Sequence, residues 1–172
     1  MKTLIRLVTL LLAVTLLVPM AAPALAEDAA SDENATHEEL ITNYSELDMT
    51  PYAGKVVYLN FFTEWCPYCM DEMPSIKKLF ETYSPEDLQV ILVHVWDGED
   101  QTNSDSIRAT YGLEDMTFFE DKDRKLSYLL SLSAYPLSVF IGRDGNIAMG
   151  TSGALSYEDM AETLDGLNVA KK

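Results

Sequence analysis

Val56 to Pro74 reads VVYLNFFTEWCPYCMDEMP, a β-branched and aromatic run that passes through two cysteines into residues with helical spacing. Its first part, Lys55 to Phe62, follows the turn-forming Pro51 to Gly54 region and has the composition of a strand. From Pro67 onward Met70, Met73, Ile76 and Phe80 recur at intervals of three and four, which predicts a helix closing near Ser84-Pro85. Pro74 lies inside that helix, where it is expected to introduce a kink. Cys66 falls at the handover from strand to helix. There the unpaired amides and the positive end of the helix dipole favour a thiolate. Cys69, three residues on, shares its helical face one turn deeper.

The neighbouring segments extend this unit. Leu88 to Trp96 (LQVILVHVW) is apolar on both faces, as a central parallel strand must be, and completes a βαβ pattern. Ser104 to Tyr111 reads as a short helix stopped by Gly112, and Asp121 to Leu132 as another. Pro136 to Ile141 and Asn146 to Met149 flank Arg143-Asp144-Gly145, whose Asp-Gly pair suits a tight hairpin. Ser156-Tyr157-Glu158-Asp159 resembles a capping box with Asp in the acidic position, and opens a final helix to about Leu167. The order βαβ, helical segment, ββ, α builds an α/β fold: a mixed central sheet with helices on both faces, three layers in all.

Residues 1–26 stand outside that fold. Lys2 and Arg6 precede an apolar run, and Ala24-Leu25-Ala26 has the small residues of a cleavage site, so the segment reads as a signal peptide. The competing reading is an N-terminal membrane anchor, a tether through residues 4–26, since no charge interrupts Leu7 to Ala26. Either way the remainder is expected to be extracytoplasmic. Residues 27–43 are acidic, small and polar, a flexible lead-in to a domain spanning 44–172. Without Lys2 and Arg6, ten basic residues face 28 acidic ones, a formal charge of −18. Phosphate contacts need clustered Lys and Arg, so nucleic acid is excluded as a partner, and the acidity is read as solubility.

The two cysteines close almost no loop, so their bridge is poor as a staple, and the pair is there for reactivity. In thiol–disulfide exchange one thiolate attacks, and the second sulfur reaches back to resolve the mixed disulfide. Cys66 is the expected nucleophile and Cys69 the resolving thiol. A zinc site would need two further ligands, and His37 and His94 have no recognisable ligand spacing. Covalent haem attachment needs His after the second cysteine, where Met70 stands. No metal and no cofactor beyond a redox-active Cys66–Cys69 disulfide is expected.

The same run resembles the thioredoxin superfamily, most closely its extracytoplasmic TlpA/ResA branch: an aliphatic strand, Asn-Phe, Trp-Cys-x-x-Cys, then Glu72 and Pro74. A looser likeness extends from about Tyr44 to Leu167. The resemblance implies a thioredoxin-like fold and a catalytic role for Glu72 as proton relay or tuner of the buried thiol. It also implies a cis proline at Pro136 facing the cysteines, with Tyr135 meeting substrate. Trp65, Pro67 and Tyr68 complete the expected substrate-facing set. Asn60 stands where cytoplasmic thioredoxins carry a buried aspartate, which leaves Glu72 as the nearer proton acceptor. Pro67-Tyr68 is also the dipeptide of glutaredoxins, which leaves the redox potential open.

The expectation is therefore an exported thiol–disulfide oxidoreductase, a monomer that reduces disulfides in other exported proteins. Its electrons would come from a membrane dithiol donor of the CcdA/DsbD type. Two alternatives stand beside this: an oxidase or isomerase of the same fold, and a haem- or metal-binding module without turnover.

Overall fold

A computed structural model of the chain describes residues 47–98 and 103–172. The expected signal or anchor over residues 1–26 and lead-in over 27–43 lie outside the described residues. Among the described residues, no helix is long and apolar enough to cross a membrane.

Among the described residues, five strands and four helices follow a 3-10 turn at Thr50–Tyr52 in the order β1 (Val56–Phe62), α1 (Pro67–Thr82), β2 (Leu88–Val95), α2 (Asp105–Tyr111), β3 (Thr117–Asp121), α3 (Lys125–Leu129), β4 (Leu137–Ile141), β5 (Ile147–Ser152) and α4 (Tyr157–Gly166). The sheet order is β3-β2-β1-β4-β5. β1 and β2 pair in parallel, as do β2 and β3, whereas β4 runs antiparallel to both β1 and β5. β1 is central and every one of its residues is buried.

Side-chain alternation divides the core into two layers. Val56, Tyr58 and Phe62 join Val90, Leu92 and Phe140 on one face, beneath Met73, Ile76 and Leu79 of α1, Ile107 of α2, and Met160 and Leu164 of α4. On the other face Val57, Leu59 and Phe61 meet Ile91, Val93 and Val139, covered by Leu126 of α3 and by Leu47 and Met49 ahead of the sheet. The sheet is mixed and helices lie on both of its faces, a thioredoxin-like α/β/α arrangement.

Two sequence expectations need correction. Thr117–Asp121, whose first four residues were assigned to no element, is an edge strand parallel to β2. The helix expected over Asp121 to Leu132 is only Lys125–Leu129, because Asp121 closes β3 and its carboxylate takes the first amides of the helix. Oδ1 accepts from Leu126 N at 3.2 Å, and Oδ2 from Ser127 N at 2.9 Å and Ser127 Oγ at 2.5 Å. Elsewhere the ends move by a few residues: β5 runs on to Ser152, and α1 ends at Thr82 after passing through Pro74. Gly112 ends α2 in the left-handed region at φ 64°, and α4 has its capping box between Ser156 and Asp159.

Candidate functional site

β1 and β2 deliver their C-terminal ends to one edge of the sheet, where Phe62 pairs with His94, and the chain turns there into α1 through Thr63-Glu64-Trp65. Cys66 is the N-cap of α1, with Pro67 in the first turn, where its missing amide costs no intrahelical bond. Cys66 and Cys69 are joined as a disulfide. Cys69 N donates to Cys66 Sγ at 3.2 Å, while Cys66 O receives Cys69 N at 3.1 Å and Met70 N at 3.2 Å. A helix amide aimed at a sulfur is a donor for the thiolate that appears when the bond opens. Cys66 retains 3% of its surface and Cys69 none, so of the two residues only the first keeps any contact with solvent.

Below the pair, Glu72 is 98% shielded, with 2% of its surface exposed. Its Oε1 accepts from Leu155 N at 2.8 Å, in the segment leading to α4, and its Oε2 from Asn60 Nδ2 at 2.9 Å. Burial pushes its carboxyl above the usual range, and the two donors offset part of that rise. Asn60 also reaches Tyr58 OH at 3.2 Å and Ser138 Oγ at 3.3 Å, and those two hydroxyls lie 3.0 Å apart. Tyr58 is itself pushed well above the ordinary phenol range, first by burial and then by the charge of Glu72. Asn60, read from the sequence as the loss of an acidic group, is here the side chain that binds one.

The other candidates gather around the motif to differing degrees. Trp65 is 50% exposed, its Nε1 donates to Asp97 Oδ2 at 2.9 Å, and its ring meets Tyr135 edge-on at 5.8 Å between centroids. Tyr68 is 69% exposed and Pro67 is exposed as well. The Tyr135–Pro136 peptide bond is cis. Pro136 itself is buried and Tyr135 half-buried, so of this dipeptide the tyrosine is the one open to a partner. Glu64, next to Trp65, accepts from Ser106 Oγ at 2.8 Å. Asp71, on α1, is exposed.

A second polar cluster escaped the sequence reading. His94, considered from the sequence only as a metal ligand, is fully buried, stacks on Phe62 at 5.1 Å and meets Glu120 Oε2 through Nδ1 at 2.7 Å. Glu120 also accepts from Trp96 Nε1 at 3.0 Å, Ser104 N at 3.0 Å and Ser104 Oγ at 2.7 Å. Recognising β3 as a strand would have set Glu120 beside His94, since the two are register partners. Among the described residues, no three His, Cys, Asp or Glu side chains gather as a metal site.

The AhpC/TSA family model matches residues 27–149. The thiol-disulfide oxidoreductase ResA of Geobacillus thermodenitrificans is 27% identical over 119 residues, 69% of this chain and 67% of that protein. The thioredoxin-like protein YneN of Bacillus subtilis is 30% identical over 113 residues, 65% of each chain. The chain thus spans about two thirds of the length of these relatives. A thiol-disulfide isomerase from Corynebacterium glutamicum superposes with a TM-score of 0.63 at 21% identity, over 73% of this chain and 88% of that one, and shares the fold.

Proposed function

The chain belongs to the AhpC/TSA family and is a thioredoxin-like thiol–disulfide oxidoreductase, and we propose that it works outside the cytoplasm as a reductase of disulfides in exported proteins. One observation carries this reading: the Cys66–Cys69 pair sits at a helix N-terminus with an amide on Cys66 Sγ and a buried carboxyl one turn below Cys69.

In the proposed cycle the reduced protein meets a client disulfide, and the Cys66 thiolate attacks one client sulfur. A Cys66–client bond forms, the client S–S bond breaks, and the first client thiolate leaves to take a proton from water. Glu72 then accepts the proton of Cys69, whose thiolate attacks Cys66 Sγ. The internal disulfide forms and the second client thiolate departs, so two electrons have passed from the dithiol to the client. A membrane dithiol donor of the CcdA/DsbD type returns the pair to its reduced form by the same exchange in reverse. Trp65, Pro67, Tyr68 and Tyr135 form the surface against which the client lies. With Pro136 they place its backbone beside Cys66. The cysteine pair needs no further cofactor for this chemistry, and a monomer suffices.

The direction of flow is tested by equilibrating the purified protein with thiol redox buffers. A potential near that of thioredoxin, about −270 mV, is the expected result; a potential near about −120 mV would make the protein an oxidase and overturn the reductase assignment.

A further inference from the structure

The buried carboxyl does not stand alone. Asn60 Nδ2 carries two hydrogens and has three oxygens in reach: Glu72 Oε2 at 2.9 Å, Tyr58 OH at 3.2 Å and Ser138 Oγ at 3.3 Å. One hydrogen serves the carboxylate, and the other is left to the hydroxyl pair. Asn60 Oδ1 is buried and has no hydrogen-bond partner, so nothing on that side of the amide fixes its orientation. Turned over, the amide would set Oδ1 against Glu72, which is repulsive while the carboxyl is ionised.

The orientation is therefore decided by what faces Nδ2. Tyr58 lies two residues before Asn60 on the same face of β1, Ser138 is the cross-strand partner of Asn60 on β4, and the Tyr58 ring is held by stacking on Phe140 at 4.4 Å. Both hydroxyls are thus fixed in place by the sheet. We propose that Tyr58 and Ser138, acting through the Asn60 amide, are positioning residues that hold Nδ2 against the Glu72 carboxylate and set the pH at which Cys69 can give up its proton. This rests on Glu72 as the proton acceptor for Cys69. Among the described residues, the titratable groups named around Glu72 are Tyr58 from β1 and the cysteine pair of its own helix; β4 supplies the neutral Ser138, and the segment before α4 supplies the Leu155 amide.

The test uses the reduced full chain and dithionitrobenzoate. This reagent releases one coloured thiolate when Cys66 attacks and a second when Cys69 displaces the aryl thiolate from Cys66. The second phase is followed across the pH range in which carboxylates and thiols titrate. Its acid limb reports ionisation of Glu72, which the Asn60 bond favours. Tyr58→Phe, which keeps the ring, and Ser138→Ala, on the other side of the contact, should each move that limb to higher pH. Each should slow the second phase below the midpoint by about threefold, the equivalent of roughly half a pH unit, with the first phase unchanged. On a Glu72→Gln background neither should shift anything further. If Glu72→Gln moves the limb but Tyr58→Phe and Ser138→Ala do not, the positioning role is wrong and the proton-acceptor role stands. Equal shifts with and without the Glu72 carboxyl would also refute the positioning role. If Glu72→Gln leaves the limb in place, both assignments fall.

Discussion

Replacing Glu120 with Gln should weaken the edge of the sheet that carries the cysteine motif, and should do so in a pH-dependent way. Glu120 receives His94 Nδ1, Trp96 Nε1, and both the amide and hydroxyl of Ser104. Burial works against its charge, but hydrogen bonds from His94, Ser104 and Trp96 together outweigh it and hold the carboxyl down from 4.5 to about 2. A folded value below the unfolded one means that the stabilisation is present above pH 4.5 and is lost as the pH falls toward about 2. Such a shift would amount to about 3 kcal/mol if the group were wholly shielded. With 23% of the side chain in solvent, screening reduces this to about 1–2 kcal/mol. Glu120→Gln keeps the shape but turns an NH2 toward groups that are already donors, so the loss at neutral pH should be about 2 kcal/mol. Urea unfolding of both proteins at neutral pH and at several lower values reads this directly. The gap between them should narrow as the pH falls below 4.5. A gap that is absent at neutral pH, or that stays constant through the acid range, would refute the reasoning.

Three further outcomes are expected. Glu72, with a folded value raised above its unfolded one, contributes stability below its ordinary carboxyl pKa that is lost as the pH rises through the folded value; the difference in urea midpoint between Glu72→Gln and the parent should therefore move in the variant's favour as the pH rises from acid to neutral. Asp121→Ala strips the caps from Leu126 N and Ser127 N and leaves the buried Ser127 hydroxyl unpaired, so unfolding free energy should fall by about 2–3 kcal/mol, read by urea denaturation. Trp65→Ala, at a half-exposed position, should change stability by less than about 1 kcal/mol. It should slow reduction of insulin disulfides more than reduction of dithionitrobenzoate if, as proposed, a protein substrate lies against the surface where Trp65 meets Tyr135.

Much of this was legible because β1 and α1 follow strong local rules. A β-branched and aromatic strand, a proline at the first helical turn and the cysteine spacing all point the same way, and SYED announced the cap of α4. β3 was not legible, because TFFED is a five-residue edge strand, half-buried over its first four positions, and its final Asp serves the next helix as a cap. Arg124, at φ 58°, then caps that helix from the left-handed region, so of the span expected over Asp121 to Leu132 only Lys125–Leu129 is helical. At the site, Glu72 and Asn60 could be picked out individually. Their contact depends on how α1 lies across β1, and one of the partners of Glu72 is a backbone amide at Leu155, which no side-chain pattern announces. Tyr58 shares the face of Asn60 by simple alternation, but Ser138 joins them only through the β1–β4 register.

Whether these two sulfurs trade electrons with other proteins is tested most directly by trapping. Cys69→Ser, reduced and then mixed with insulin, should accumulate a covalent adduct through Cys66 that dithiothreitol dissolves, while Cys66→Ser under the same conditions should accumulate none. Failure of Cys69→Ser to form that adduct, with the protein folded and Cys66 reactive toward dithionitrobenzoate, would contradict the account at its root.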